Sequence, residues 1–388
     1  MISIQCATCG QPLAHPIYES PGENSLTSLC RIEPGVTSVF ACKHCGHLQT
    51  APLGDVDTYY AEQYDILVES DEEDQIYEIQ GDKRVFRTAH QVRTLLEKLP
   101  ISQPVDLLDF GCAKSSTIRA LCSVTANVTP HLFDVSSRYI PFWQRFAKPE
   151  NWAVMKPKPD WLGRFDIVTS FFSLEHIPSV RQSLREIAGL LKPGGIFYCV
   201  VPNVLSNIAD FIVIDHCNHF TRASLQHLVA EAGFELNEID ESAHRGAYVI
   251  VARKPVTRSV IARATAEEIE QTIDRLQSIA SYWANAATAV QAQEATLDAE
   301  EQIAIYGAGF YGAFISSSLA RPQRVVCHLD QNPFLQGKRF NQSPILAPDE
   351  LPETVHSIFV GLNPAHARKI IAEISSLNRR RDLKFFYL

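Results

Sequence analysis

Two groups of residues in this sequence are spaced for chemistry. Cys6-Ala7-Thr8-Cys9-Gly10 and Cys42-Lys43-His44-Cys45-Gly46 are Cys-x-x-Cys knuckles, each followed by a glycine able to take the positive φ such turns require. Two knuckles bring together Cys6, Cys9, Cys42 and Cys45, the closed tetrahedral shell of a structural zinc ion. A closed shell leaves no position for substrate, so Zn2+ held there serves folding. The redox alternative needs one such pair in a thioredoxin-like βαβ setting, which this region lacks. His15, Cys30, His44 and His47 lie nearby and read as packed or solvated. The second group is the polar run Asp215-His216-Cys217-Asn218-His219. It lies just ahead of a helix expected over residues 222–233, with Leu225, Leu228, Val229 and Ala232 as the buried stripe and Thr221 as N-cap.

These groups must be positioned by the intervening chain. Val105–Phe110 is an apolar run that leads through Gly111-Cys112-Ala113-Lys114-Ser115 into the helical pattern Thr117, Ile118, Leu121. Such a strand–turn–helix unit is expected to point backbone N–H groups at a ligand. Asp134 ends the next apolar run, about where a carboxylate can accept both hydroxyls of a ribose. Phe165-Asp166-Ile167-Val168 and the Leu191-Lys192-Pro193-Gly194-Gly195 turn feeding 196–201 continue the alternation through residue 253. The expectation is an α/β fold with a mostly parallel, doubly wound sheet. Ligands in such sheets bind at the carboxyl ends of the strands, where Ser170–Ser173 and Glu175-His176 fall.

The order and spacing of these parts resemble class I S-adenosylmethionine (SAM)-dependent methyltransferases, although only the first of Gly111, Ala113 and Ser115 is glycine. With the cysteine module in front, the chain looks like the nucleotide-sugar C-methyltransferases, which act on 4-keto-deoxysugars. The resemblance implies SAM contacts from Asp109, Gly111, Cys112, Ala113, Ser115, Asp134, Val135 and Phe171. It implies an active-site histidine at His176 and a substrate contact from Tyr64 in the tyrosine-rich stretch 59–64. Where that family has Tyr-x-Glu-His, this chain has Val213-Ile214-Asp215-His216. His216 is then the general base, with Asp215 holding its tautomer. Val213 in place of tyrosine leaves C- against O-methylation open. Between the cysteine module and the sheet, an amphipathic helix is expected through Val85, Val92, Leu95, Leu96 and Leu99, and the acidic run 69–74 reads as solvated surface.

After residue 255 the composition shifts. Ile269, Ile273, Leu276, Ile279 and Trp283 define one long amphipathic helix, a strut or dimer face. Gly307-Ala308-Gly309-Phe310-Tyr311-Gly312 then forms a full G-x-G-x-x-G after the strand pattern 302–306, with Asp330 ending the next run. Taken alone this signals NAD. In the resembled family a Rossmann-like domain occupies this place and helps enclose the nucleotide sugar. The expected organisation is a zinc module (1–55), a helical entry segment (56–100), the SAM domain (101–255), a helical linker (256–300) and the C-terminal Rossmann-like domain (301–388).

The 388 residues suit two or three domains, and a net charge of −9 without a Lys/Arg block disfavours nucleic acid and anionic membranes as partners. No apolar run reaches about 18 residues, and no basic-then-apolar leader opens the sequence. The expectations are a cytoplasmic monomer or homodimer and a nucleotide-sugar substrate. The alternatives are O- or N-methylation of a sugar or natural product, an NAD-dependent oxidoreductase, and a non-catalytic nucleotide-sugar-binding protein.

Overall fold

The computed structural model describes residues 4–51, 74–80, 83–257 and 263–388. Tyr64, most of the acidic run and residues 56–73, 81 and 82 of the entry segment lie outside these. By internal contacts the chain divides into two units. One holds Met1–Ala14, Ala41–Ile208 and Cys217–Asp274; the other holds His15–Phe40, Ala209–His216 and Arg275–Leu388.

The first unit is built on a seven-stranded sheet: β1 (Val105–Phe110), β2 (Val128–Asp134), β3 (Trp152–Val154), β4 (Phe165–Phe171), β5 (Leu191–Pro202), β6 (Glu235–Asp240) and β7 (Ala247–Arg253). Their order is 3-2-1-4-5-7-6. Strands β1 to β5 run parallel, and β7 is antiparallel to both β5 and β6. Successive residues of each strand face opposite sides of the sheet. Leu107, Ile167 and Val249 therefore pack under helices α1 (Arg87–Lys98) and α2 (Ser116–Val124) through Val92, Leu95, Ile118 and Leu121. Leu108, Val168 and Ile250 pack on the other face against α3 (Val180–Leu190) and α4 (Arg222–Glu231). Both faces are covered, which is why these strands read as continuous apolar runs.

Two local expectations change. The helix expected through Val85 starts only at Arg87, because residues 76–80 and 83–86 pair as an antiparallel hairpin. The Lys192–Gly195 turn is absorbed into β5, whose pairing with β4 shifts register between Phe165 and Ile167, with Gly194 at φ +82°. Thr221 does cap α4, reinforced by a reciprocal bond from Ser224.

In the second unit, β8 (Ile303–Tyr306), β9 (Val325–Leu329), β10 (Arg339–Phe340), β11 (Ser343–Leu346), β12 (Ser357–Val360) and β13 (Lys384–Tyr387) form a sheet ordered 10-11-9-8-12-13. All but β10 are parallel. Helix α5 (Ala266–Ala295) buries Ile273, Leu276, Ile279 and Trp283 at the anticipated spacing, and Trp283 packs edge-on to Phe314, ring centres 4.6 Å apart, in α6 (Phe310–Ser318). Ile269, the first residue of that stripe, is half-buried. Among the described residues no helix is long and apolar enough to cross a membrane.

Candidate active site

The turn after β1 is left-handed at three positions: Gly111 (φ +69°), Ala113 (+44°) and Ser115 (+54°). Only Gly111 has to be glycine, since a Cβ there would lie 1.9 Å from Ser173 Oγ. Ala113 and Ser115 carry a side chain in a conformation costing roughly 1 to 3 kcal/mol each, and the surroundings hold them there. Ser115 Oγ donates to Asp109 Oδ2 at 2.6 Å, and Thr169 Oγ1 donates to the other carboxylate oxygen at 2.9 Å. Trp143 Nε1 donates to the Ala113 carbonyl at 2.7 Å. Ala113 N–H donates to Asp134 Oδ2 at 2.8 Å, and Ser136 N–H to Oδ1 at 2.9 Å.

Four amides of the turn are taken up within the protein. Gly111 and Cys112 N–H both go to the Phe133 carbonyl, Ser115 N–H to the Cys112 carbonyl, and Ala113 N–H to Asp134. Burial pushes the Asp109 carboxyl up to about 7 against the pull of Ser115 and Thr169, and burial also raises Asp134. Cys112 is buried with its Sγ near the Ala113 carbonyl, Val135 is exposed at the strand edge, and Phe171 is half-buried at the end of β4.

Beyond β4, Phe172 is left-handed (φ +51°), and a single 3₁₀ turn, Leu174–His176, follows. His176 is partly exposed and Glu175 is buried. Asn218 Nδ2 donates to the carbonyls of Leu174 (3.1 Å) and Ile177 (2.7 Å), and Cys217 Sγ lies 3.4 Å from the Glu175 carbonyl. Asn218 Oδ1 meets His47 Nε2 at 3.1 Å, and His219 Nε2 meets Thr50 Oγ1 at 2.7 Å. Cys217 and Asn218 thus brace the His176 turn, while His219 ties to Thr50.

In the second unit, His216 is buried and its Nδ1 lies 2.6 Å from Asp210 Oδ1. The carboxylate at the ring is Asp210, where the resemblance implied Asp215. Asp215 instead accepts from Ser28 N–H and Oγ, each at 2.7 Å. Neighbours along an irregular segment point apart; here the residue six positions earlier, in the 3₁₀ segment Ile208–Ile212, faces the ring. No spacing in the sequence marks Asp210, Ser28, Thr169, Trp143 or Ser173. They act only through the fold.

The four knuckle cysteines are brought together with all sulfurs within 4.8 Å of one another. Cys6–Cys45 is 3.7 Å and Cys9–Cys42 is 3.5 Å. A tetrahedron with metal–sulfur bonds of about 2.3 Å has edges of about 3.8 Å, so the shell fits zinc. Hydrogen bonding to Cys42 and burial push Cys6 up to about 12, Cys45 is raised for the same reasons, and bonds from Cys45 and Cys6 pull Cys42 down. Four crowded sulfurs cannot all ionise together, and only a cation among them would change that.

A parallel sheet carrying an acid-ended second strand beside a left-handed turn is an arrangement able to receive a nucleoside-bearing cofactor at the strand ends. Residues 82–239 match the model of a methyltransferase-domain family, and the chain carries a SAM-dependent methyltransferase domain. It is 30% identical over 165 residues to the methyltransferase GfsG of Streptomyces halstedii, covering 38% of this chain and 59% of that one. It is 28% identical over 107 residues to the C-methyltransferase NovU of Streptomyces niveus, covering 25% and 26%. It is 25% identical over 185 residues to a ubiquinone biosynthesis O-methyltransferase of Thiobacillus denitrificans, covering 40% and 76%. The chain thus spans under two thirds of the first two relatives.

Proposed function

We propose that this chain methylates carbon α to the keto group of a nucleotide-linked 4-keto-deoxysugar. The observation that carries the reading is the methyltransferase domain preceded by a four-cysteine shell, with a C-methyltransferase among its relatives. SAM, when bound, supplies a methyl group already activated by its sulfonium. Asp134 would accept the ribose hydroxyls, and Gly111 with Asp109, Cys112, Ala113, Ser115, Val135 and Phe171 would shape the cofactor's bed. The protein must otherwise supply a proton acceptor and a donor to the enolate oxygen. In this reading His216 takes the α-proton, Asp210 fixes its Nδ1 proton and stabilises the charged ring, and His176 contacts the substrate oxygen. Tyr64 remains a proposed substrate contact. Zinc on Cys6, Cys9, Cys42 and Cys45 has a folding role.

The test is incubation with SAM and a panel of nucleotide sugars, read by mass spectrometry, alongside α-proton exchange in D₂O. A positioned base contributes on the order of 10²–10⁴-fold, so His216→Ala should lose about that in turnover while S-adenosylhomocysteine affinity holds. Asp210→Asn should lose less, and Asp215→Asn less again. Unchanged turnover in His216→Ala removes it from the mechanism. The second reading is O-methylation, favoured by Val213 and by the O-methyltransferase relative. Product methylated on oxygen, with no proton exchange, would select it.

A further inference from the structure

The loop joining β6 to β7 reaches the carboxyl edge of the parallel strands, because β7 begins at Ala247 opposite Pro202, the last residue of β5. Phe172, just past β4, bonds through its N–H to Val200 on the same edge. His244 stands in this loop, 5% exposed, edge-on to Phe172 with ring centres 5.3 Å apart. The loop is fixed from several sides. Asp240 Oδ1 accepts from Ser242 N–H, Ser242 Oγ and Ala243 N–H, His90 Nε2 donates to the Ala243 carbonyl at 2.8 Å, and Arg245 N–H donates to the Tyr77 hydroxyl at 2.7 Å.

His244 Nδ1 lies 3.2 Å from the Arg245 carbonyl, which can only accept, so Nδ1 carries the proton. Burial keeps the ring neutral, its pKa held down to about 4. Nε2 is then a bare acceptor, buried and without a partner. His47, His131 and His328 also keep one unpartnered ring nitrogen. His131 and His328 sit within strands β2 and β9 and His47 beside the cysteine knuckle. His244 alone of the four stands in a loop at the carboxyl edge of the parallel strands, with Tyr77 and His90 also edge-on to its ring.

We propose that His244 Nε2 accepts a hydrogen bond from a hydroxyl of the methyl-acceptor substrate. This makes His244 a binding and specificity residue, and it rests on the methyl-transfer reading above. The same hydroxyl selects against acceptors lacking it, since the nitrogen would stay unpaired.

The experiment uses the full chain with a thymidine diphosphate-linked 4-keto-6-deoxyhexose as acceptor. His244→Ala should raise KM for the acceptor about 10- to 100-fold, the loss of one hydrogen bond. kcat should stay within about threefold and S-adenosylhomocysteine affinity within about twofold. His244→Gln, which restores an acceptor oxygen, should recover most of the KM. An unchanged KM in a folded His244→Ala variant that still binds S-adenosylhomocysteine overturns the proposal and leaves the methyl-transfer reading intact. Loss of S-adenosylhomocysteine binding in both variants also overturns it, since the loop would then only support the cofactor turn. If wild type binds S-adenosylhomocysteine and turns over no hydroxylated nucleotide sugar, the sugar reading fails and the proposal falls with it.

Discussion

Two strand–turn–helix units of the chain carry glycine-bearing turns, and the two turns are held in different ways. Gly307–Gly312 holds all three glycines, yet two of them are taken up by the protein itself. A Cβ on Gly307 would lie 2.3 Å from the Gly361 carbonyl oxygen, and one on Gly312 would lie 2.0 Å from that of Gly307. These glycines let backbone pack on backbone. The 111–115 turn has one glycine, and a side-chain network of Asp109, Thr169, Trp143 and Asp134 holds its other two left-handed positions. Both turns share the acid device: Asp330 takes Ala308 N–H at 3.0 Å and Asn332 N–H at 2.8 Å, much as Asp134 takes Ala113 and Ser136. Motif completeness reports how closely backbones approach, and says less about what binds.

The largest effect should come from filling the glycines. Gly312→Ala drives a methyl group into backbone and should destabilise the C-terminal sheet by about 3 kcal/mol or more in denaturant unfolding. Gly111→Ala, meeting the movable Ser173 hydroxyl at a positive φ, should cost somewhat less stability yet abolish measurable S-adenosylhomocysteine binding. Gly309→Ala, with open space around it, should be near neutral. A tolerated Gly312→Ala would break the packing account of the second turn.

Next come the two acids. Asp134→Ala should weaken S-adenosylhomocysteine binding about 100-fold by calorimetry, the loss of two charge-assisted hydrogen bonds. Asp330→Ala should leave it unchanged. If Asp330→Ala alone abolished binding, the roles of the two turns would be reversed.

Ser115 gives a smaller contrast. Ser115→Ala keeps the strained φ and removes the bond to Asp109, costing about 1–2 kcal/mol. Ser115→Gly loses the same bond and relieves the strain, so it should be nearer wild type.

The mildest effect is a pH slope. Asp109 titrates at about 7 in the fold against 3.8 as its ordinary value, so folding favours its protonated form. Its contribution to stability is fully present below about 3.8 and is lost as pH rises through about 7. Asp109→Asn should remove that slope from the thermal unfolding midpoint. His47, held down to about 4, works in the opposite sense, losing its contribution as acid approaches pH 4, so the variant-minus-wild-type difference isolates Asp109. Identical slopes would show that Asp109 is ionised throughout.

Much of the site was legible because local rules made it so. The cysteine spacing named the four sulfurs now within 4.8 Å of one another, since a tight knuckle places both thiols on one side. Thr221 announced its helix through a cap that needs only three residues. Apolar runs and their punctuation placed β1, β2 and β4 within a residue or two, because burial on both faces demands continuous hydrophobicity. Asp215 beside His216 misled for an equally physical reason: adjacency in an irregular segment sets no side-chain direction, and Asp210 faces the ring instead. The sequence by itself thus determined which residues could form strands, caps and a metal shell, all consequences of contacts spanning a few positions. Only the tertiary structure decided which partners meet. Ser173 against Gly111, Trp143 over Ala113 and His244 beside Phe172 are separated by 30 to 72 positions, as their numbers show, and only the packing of the sheet and its edge loops brings each pair together.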